Sequence, residues 1–252
     1  MAVAADRVAL VIGNSAYSAG QPLKNANNDA MDIARSLQEL NFDVVVLKDV
    51  GFKAMIEALG RFLQSAPKYQ VRLIYYAGHG LQLKEKNYLV PVDADIKTVT
   101  DVNQQAVRFD DVMDKLARIE GGTNILILDA CRNNPFISNF AFGADGRRIQ
   151  LRGPSSPISP GLANLHEARV GTFVAFAAQP GYPAKEDLSG RNSIYAKHIL
   201  KHIHTPNLRI GEMFERVRKG VKDETVGQQL PMEQTTLTGP FCFNATKQAS
   251  CE

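Results

Sequence analysis

Two residues able to do nucleophilic chemistry, His79 and Cys131, hold equivalent places in two apolar runs, "LIYYAGHG" (73–80) and "LILDAC" (126–131). Each lies three residues past the last bulky apolar side chain of its run, Tyr76 in one and Leu128 in the other. A thiol with an ordinary pKa of about 8.5 is mostly protonated at neutral pH and needs a base or cation to become thiolate. A nearby imidazole is the usual means. Gly80 lets backbone approach a substrate closely, and its N–H together with that of Cys131 would form an oxyanion hole. Taken singly, a cysteine near a strand end often serves as a small buried apolar group, and a histidine there as a structural hydrogen-bonder. The matching placement of the two supports the chemical reading.

Asp129 stands two residues before Cys131. On a strand, side chains two apart share a face, so the carboxylate and the thiol are expected to project together. A bare carboxylate raises a neighbouring thiol's pKa and works against the nucleophile. The role that fits Asp129 is to receive a cation, such as a substrate Lys or Arg. The competing structural reading is an Asp capping a turn or helix that begins at "RNNP" (132–135).

These residues need a scaffold, and the hydrophobic pattern supplies one. "RVALVI" (7–12), "DVVVL" (43–47), "VRLIYY" (71–76) and "NILIL" (124–128) are short, nearly continuous apolar runs, and "GTFVAFAA" (171–178) is another. Between them, helical spacing places Ala30, Ile33, Ala34, Leu37 and Leu40 on one face of 27–40. Met55, Ile56, Leu59, Phe62 and Leu63 do the same in 52–64, and Val112, Met113, Leu116 and Ile119 in 109–119. Two more helices are expected near 192–204 and 208–222, the second lined by Ile210, Met213, Phe214, Val217 and Val221. Strand–helix alternation with apolar strands implies a parallel sheet covered on both faces, with ligands at the carboxyl ends of its strands. A small hairpin is expected over 81–90. "LTGPFCFN" (237–244) reads as the last strand, with its Pro at a start or an edge. Residues 135–169, rich in Gly, Pro, Ser and Arg, read as one long loop.

Composition narrows the classes. The chain has 252 residues, 44% hydrophobic and 22% charged, with a net charge of +3; that is an ordinary globular balance. There is no Lys/Arg run to argue for nucleic acid. No apolar stretch approaches the roughly 18–20 residues that span a bilayer. The opening "MAVAADRVALVIGN" lacks the basic start of a signal peptide, which says little about location: the compartment stays open between cytoplasmic and, had a leader been removed, periplasmic. The three cysteines, Cys131, Cys242 and Cys251, do not read as a disulfide framework, and Cys251 reads as frayed. His198, His202 and His204 have a spacing compatible with zinc, but without an H-E-x-x-H order they read as a solvated helix face. No metal or cofactor is expected. "DADIKTVTD" (93–101) is the one acidic stretch to weigh for calcium, and it is not an EF-hand loop.

The motifs form a recognisable set. "YYAGHG" and "LDACRNNP", after "VALVIGNSAY" (8–17) and "LKNANNDAMDIARSL" (23–37), resemble the caspase-like cysteine peptidases of clan CD, family C14. Within it they are most similar to the bacterial metacaspase-like, or orthocaspase, branch. The resemblance continues through "TFVAFAAQPGYPAKEDLSGRNSIYAKHILK" (172–201) and "LPMEQTTLTGPFCF" (230–243). It implies a caspase-like (caspase-hemoglobinase) α/β fold with a mostly parallel six-stranded sheet flanked by helices on both faces. It implies a single domain over 1–252: a large-subunit-like part (1–134), a linker loop (135–169), a small-subunit-like part (170–244) and a tail (245–252). By the same resemblance His79 is the catalytic histidine, Cys131 the nucleophile, and Gly80 an oxyanion donor. Asp129 and Asp29 are substrate-binding acids selecting Arg or Lys before the scissile bond. Asp29 also has a plain reading as a first-turn helix acid. Ala77 departs from the eukaryotic metacaspases, which carry Ser there. Arg147, Arg148 and Arg152 in the linker are candidates for self-cleavage. Calcium stimulation belongs to some members of the branch. The expected partner is a peptide or protein substrate, and the Pro in 237–244 argues for a monomer. Two other readings remain: an inactive caspase-like scaffold, and a small-molecule hydrolase using the same dyad.

Overall fold

The structure is a computed structural model. It describes residues 6–84, 86–131, 140–142, 148–150, 158–160, 170–179, 184, 187, 189–246 and 251, with backbone alone at 131, 140–142, 148–150 and 158–160. Among these the strands are β1 (Arg7–Gly13), β2 (Phe42–Lys48), β3 (Val71–Leu83), β4 (Lys86–Leu89), β5 (Val107–Arg108), β6 (Thr123–Cys131), β7 (Phe140–Phe142), β8 (Arg148–Gln150), β9 (Ile158–Pro160), β10 (Thr172–Phe176) and β11 (Met232–Thr235). The helices are α1 (Ala26–Glu39), α2 (Phe52–Ser65), α3 (Val99–Gln105), α4 (Phe109–Ala117), α5 (Ile194–His202) and α6 (Ile210–Glu224).

The sheet runs β11-β10-β6-β3-β1-β2. The five strands from β10 to β2 are mutually parallel, and β11 closes one edge antiparallel to β10. This is the mostly parallel six-stranded path expected of the α/β fold. Parallel strands need a crossover between them, and the helices that provide it cover both faces, so the central strands are apolar on both sides. On one face Ala9, Val11, Leu73, Tyr75, Ile125, Ile127 and Phe173 pack against α1, α5 and α6. On the other, Leu10, Ile12, Ile74, Tyr76, Leu126 and Leu128 pack against α2 and α4. Leu37, fully buried on α1, shows the scale: truncation to Ala at such a position costs about 2–5 kcal/mol.

Three expectations need correction. The third strand does not stop at Tyr76; β3 runs through "AGHG" to Leu83, because β4 pairs antiparallel with it from Gly80 onward. The segment 135–169 is not structureless. Its β7 and β8 form a two-stranded pair, and β9 returns to pair with β3 at Leu81–Leu83. The last strand is β11, ahead of 237–244, which makes only isolated bridges Arg209–Cys242 and Pro206–Asn244. The edge strand "MEQT" therefore holds no proline, and the argument for a monomer from Pro240 does not apply to it. Its physical basis was misplaced because Phe241 and Phe243 are drawn inward, beneath Arg7 and Phe42, instead of into the sheet.

The cysteines also differ from expectation. Cys242 and Cys251 form a disulfide, with Cα atoms 5.9 Å apart. The bond ties Cys251 to the buried 241–243 segment, which sequence spacing alone did not signal. Of the three cysteines, this leaves Cys131 as the one outside that bond. Unfolding the chain in guanidinium without reductant and titrating thiols is expected to find one per chain, rising to three after reduction. Three without reduction would remove the bridge.

Candidate active site

The carboxyl edge of the sheet is uneven, and the unevenness makes a site. β1 ends opposite Ala77, and β6 ends at Cys131 opposite His79. β10 pairs with β6 only as far as Leu128. β3 alone continues, taking β4 on the β1 side from Gly80 and β9 on the β6 side from Leu81. Gly80 thus falls in a one-residue gap between the end of β6 and the end of β9. The Val90 N–H donates to the His79 carbonyl (3.0 Å). In an antiparallel ladder this makes Gly80–Leu89 a non-hydrogen-bonded pair, so the Gly80 N–H turns away from β4, toward the side on which β6 ends. The backbones of His79 and Cys131 are directly paired in register, on strands about 4.8 Å apart.

His79 is held from every side. Its Nε2 lies 2.8 Å from the Gln21 carbonyl oxygen. A carbonyl only accepts, so Nε2 carries the proton and the lone pair of the neutral ring is on Nδ1. Its backbone N–H donates to Tyr17 Oη (2.7 Å), and Tyr76 Oη donates to its carbonyl (2.7 Å). The Tyr17 and His79 ring centroids are 4.3 Å apart, tilted at 46°. Burial, opposed by the Gln21 bond, lowers the imidazole pKa to about 4, so the resting ring is neutral.

The loop that brings Gln21 and Tyr17 to His79 is itself tied down. Asp49 Oδ1 accepts the Ser15 and Ala16 N–H groups (2.7 and 2.8 Å), and Oδ2 accepts Asn27 Nδ2 (2.6 Å). Gly78 permits the tyrosines to close in. A Cβ there would lie 2.5 Å from Tyr76 Oη and 2.7 Å from Tyr17 Oη.

Asp29 and Asp129 converge beside this edge, both buried. Asp129 lies opposite Ala77, about 6.6 Å along the strand from Cys131. Asp29 comes from the first turn of α1. One residue joins them. Ser193 donates its N–H to Asp29 Oδ1 (2.9 Å) and its Oγ–H to Asp129 Oδ2 (2.6 Å), while Tyr75 Oη also donates to that Oδ2 (3.1 Å). Ser193 is the N-cap of α5, its Oγ accepting the Ala196 N–H (3.0 Å), so the helix start directs positive polarity at the acids. Burial, and then the field of Asp129, push the Asp29 carboxyl up to about 8 against the bonds from Ser193 and Asn192. Asp29 is therefore more than a first-turn helix acid: its carboxylate is turned inward to a second carboxylate.

Sequence reasoning missed Ser193, Tyr17, Gln21 and Gly78. Only Ser193 had a local signal, a serine just before an apolar helical run, and that signal reads as a cap. Other residues fall elsewhere. Arg148 opens β8, and Arg147 and Arg152 lie outside the described residues. His198 is not on a solvated face; it is buried against Gly220 and bonds Glu224 (2.9 Å). In 93–101, the Asp93 carboxylate caps α2 and Asp101 closes a capping box with Thr98. Among the described residues no group of three His, Cys, Asp or Glu side chains is arranged to hold a metal ion, and no helix is long and apolar enough to cross a membrane.

The parallel α/β sheet thus places a histidine and a cysteine in register at its carboxyl edge, where such folds hold their ligands. The chain belongs to the caspase-domain family of C14 peptidases, whose model matches residues 6–242; these are cysteine peptidases, hydrolases of the peptide bond. Its fold is shared by caspase-1 from Spodoptera frugiperda, with a TM-score of 0.67 at 15% identity over 98% of this chain and 92% of that one. Over 130 residues, 52% of its length, it is 33% identical to mucosa-associated lymphoid tissue lymphoma translocation protein 1 of Homo sapiens and to its homolog in Mus musculus. The matched stretch is 15% of each of those proteins.

Gly78→Ala tests the histidine's mounting. The added methyl must displace Tyr17 or Tyr76, and turnover is expected to fall about ten- to a hundredfold with the far-ultraviolet circular dichroism spectrum unchanged. Full turnover in the folded variant would show that the two hydroxyls do not set the ring.

Proposed function

We propose that the chain is an endopeptidase of the metacaspase-like kind that cuts after Arg or Lys. Cys131 is the nucleophile, His79 the proton shuttle, and a thioacyl-enzyme the intermediate. The observation that carries the specificity is the buried pair Asp29–Asp129 bridged by Ser193. Two carboxylates buried side by side are costly, and a proton on Asp29 is the resting relief. A guanidinium or ammonium entering between them replaces that proton and donates charge-assisted hydrogen bonds to both acids. The substrate carbonyl is then held near the edge where β6 ends.

The neutral His79, with its lone pair on Nδ1, accepts the thiol proton; its depressed pKa of about 4 makes that transfer uphill in the resting site, and the thiolate so formed favours the imidazolium as an adjacent anion. The imidazolium so formed keeps its Nε2–H on the Gln21 carbonyl and meets the ring face of Tyr17, a favourable place for a cation. The thiolate attacks the carbonyl carbon, and the Gly80 and Cys131 N–H groups receive the oxyanion. His79 returns the proton to the leaving amine, then takes one from the water that hydrolyses the thioester. Self-cleavage after Arg147, Arg148 or Arg152 belongs to the same reading. Intact-mass measurement during turnover tests it, and a single uncut species under sustained activity would reject it.

The central test is labelling with an Arg-bearing acyloxymethylketone, followed by kinetics on peptide amides. Modification of Cys131 that is lost in His79→Ala supports the dyad. A chain that takes no label fits an inactive scaffold. Asp129→Ala is expected to abolish cleavage after Arg while leaving the protein folded, and normal turnover by this variant would defeat the pocket assignment.

Asp29→Asn separates function from stability. Because the folded carboxyl titrates near 8 instead of its ordinary 3.8, the native chain holds a proton that the unfolded chain has lost between those values. Stability therefore falls as pH rises through that window. The variant should lose this slope, melt higher than wild type above pH 8, and cleave Arg substrates poorly. In wild type, kcat/KM should climb toward pH 8 as the free enzyme's Asp29 ionises. An unchanged melting-temperature profile in the variant would show that Asp29 is not the group involved.

A further inference from the structure

Along α1, Asn25, Asn28, Asp29 and Asp32 recur at spacings of three and four residues, starting from the N-cap, which places them on one stripe of the helix. The stripe is laid along residues 190–193. Asn25 Nδ2 donates to the Gly190 and Arg191 carbonyls (3.2 and 3.0 Å), and Asn28 Nδ2 donates to the Arg191 carbonyl (3.1 Å). Arg191 grips Asp32 with two prongs, Nε to Oδ2 at 2.8 Å and Nη2 to Oδ1 at 3.1 Å. Asn192 Nδ2 adds a third bond to Oδ2 (3.0 Å). The Arg191 bonds lead in holding the Asp32 carboxyl below its ordinary range. The next residue is Ser193, whose N–H reaches Asp29.

We infer that the Asp32–Arg191 ion pair is a positioning device for the acidic pocket: it fixes the 190–193 turn so that Ser193 stays between Asp29 and Asp129. The inference rests on the proposed cleavage after Arg or Lys. Ser193 has to donate to two acids on different elements, one on α1 and one on β6. A drift of the turn along α1 leaves it able to serve one only. The start of α5 does not set this position, because capping requires only that the Ser193 hydroxyl meet the helix's own N–H groups. What relates Ser193 to α1 is the stripe, and its one charged, two-pronged contact is Arg191 to Asp32. Arg191 is mostly exposed, and ion pairs of that kind contribute little to global stability. Losing it loosens the turn without unfolding the chain, and the effect falls on binding of the basic side chain. A lysine at 191 keeps the charge but loses the fork.

The test uses the full chain with Asp32→Ala, Arg191→Ala, the double variant and Arg191→Lys. Two readouts are compared: kcat and KM on a peptide amide with Arg before the scissile bond, and the rate of Cys131 alkylation by iodoacetamide, a neutral reagent that ignores the pocket. Each alanine variant is expected to raise KM about tenfold, with kcat and alkylation rate within about twofold of wild type. The double variant should be no worse than Asp32→Ala alone, which already removes the bonds from both Arg191 and Asn192. Arg191→Lys should recover part of the loss. Unchanged KM in the single variants, additive losses in the double, or alkylation falling in step with KM would each overturn the inference. A wild type that cleaves no Arg or Lys peptide yet alkylates at Cys131 would instead defeat the specificity reading beneath it.

Discussion

One register, Ala77 opposite Asp129 and His79 opposite Cys131 on the parallel strands β3 and β6, governs the arrangement. Side chains alternate along a strand, so a slip of one residue would send Asp129 to the opposite face, among the apolar side chains packed on α2 and α4. The register is fixed by the packing of Leu73, Tyr75, Ile125 and Ile127 on one face and Ile74, Tyr76, Leu126 and Leu128 on the other. The apolar core of the sheet thus sets where the polar residues of its edge stand.

The polar residues then organise each other by opposite electrostatic means. His79 is kept neutral by burial and oriented by groups that bond its backbone and Nε2. Asp29 and Asp129 are forced into proximity, and the cost appears as a proton retained on Asp29. Tyr75, Ser193 and the first turn of α5 supply donors but no full positive charge. Acids gathered this way fit the physical picture that functional sites depart from what stability alone would select.

The residues gathered at this edge come from three distant stretches. Asp29 and the Gln21–Tyr17 loop lie near the start of the chain, His79 and Asp129 in its middle, and Ser193 and Arg191 well beyond the linker. The stripe on α1 joins the first of these groups to the last. Its partners are mainly backbone carbonyls and one exposed arginine, which have little signature in a linear reading. Tyr17 is similar: its hydroxyl matters because Gly78 leaves room for it, and only the folded loop brings the two together.

Strand and helix order, the parallel sheet and the place of His79, Cys131 and Asp129 at the ends of its strands were legible in the residues themselves, because apolar periodicity and short motifs are local. The family resemblance added Asp29. What lay beyond the sequence was contact made at long range or through backbone: the length of β3, set by pairing with β4 and β9; the edge strand β11, displaced when Phe241 and Phe243 turned inward; the Cys242–Cys251 bridge; and the serine that joins two acids. Periodicity reports which face of an element is apolar. Which donor meets which carboxylate is decided by how those elements pack, and that information is absent from any single stretch of chain.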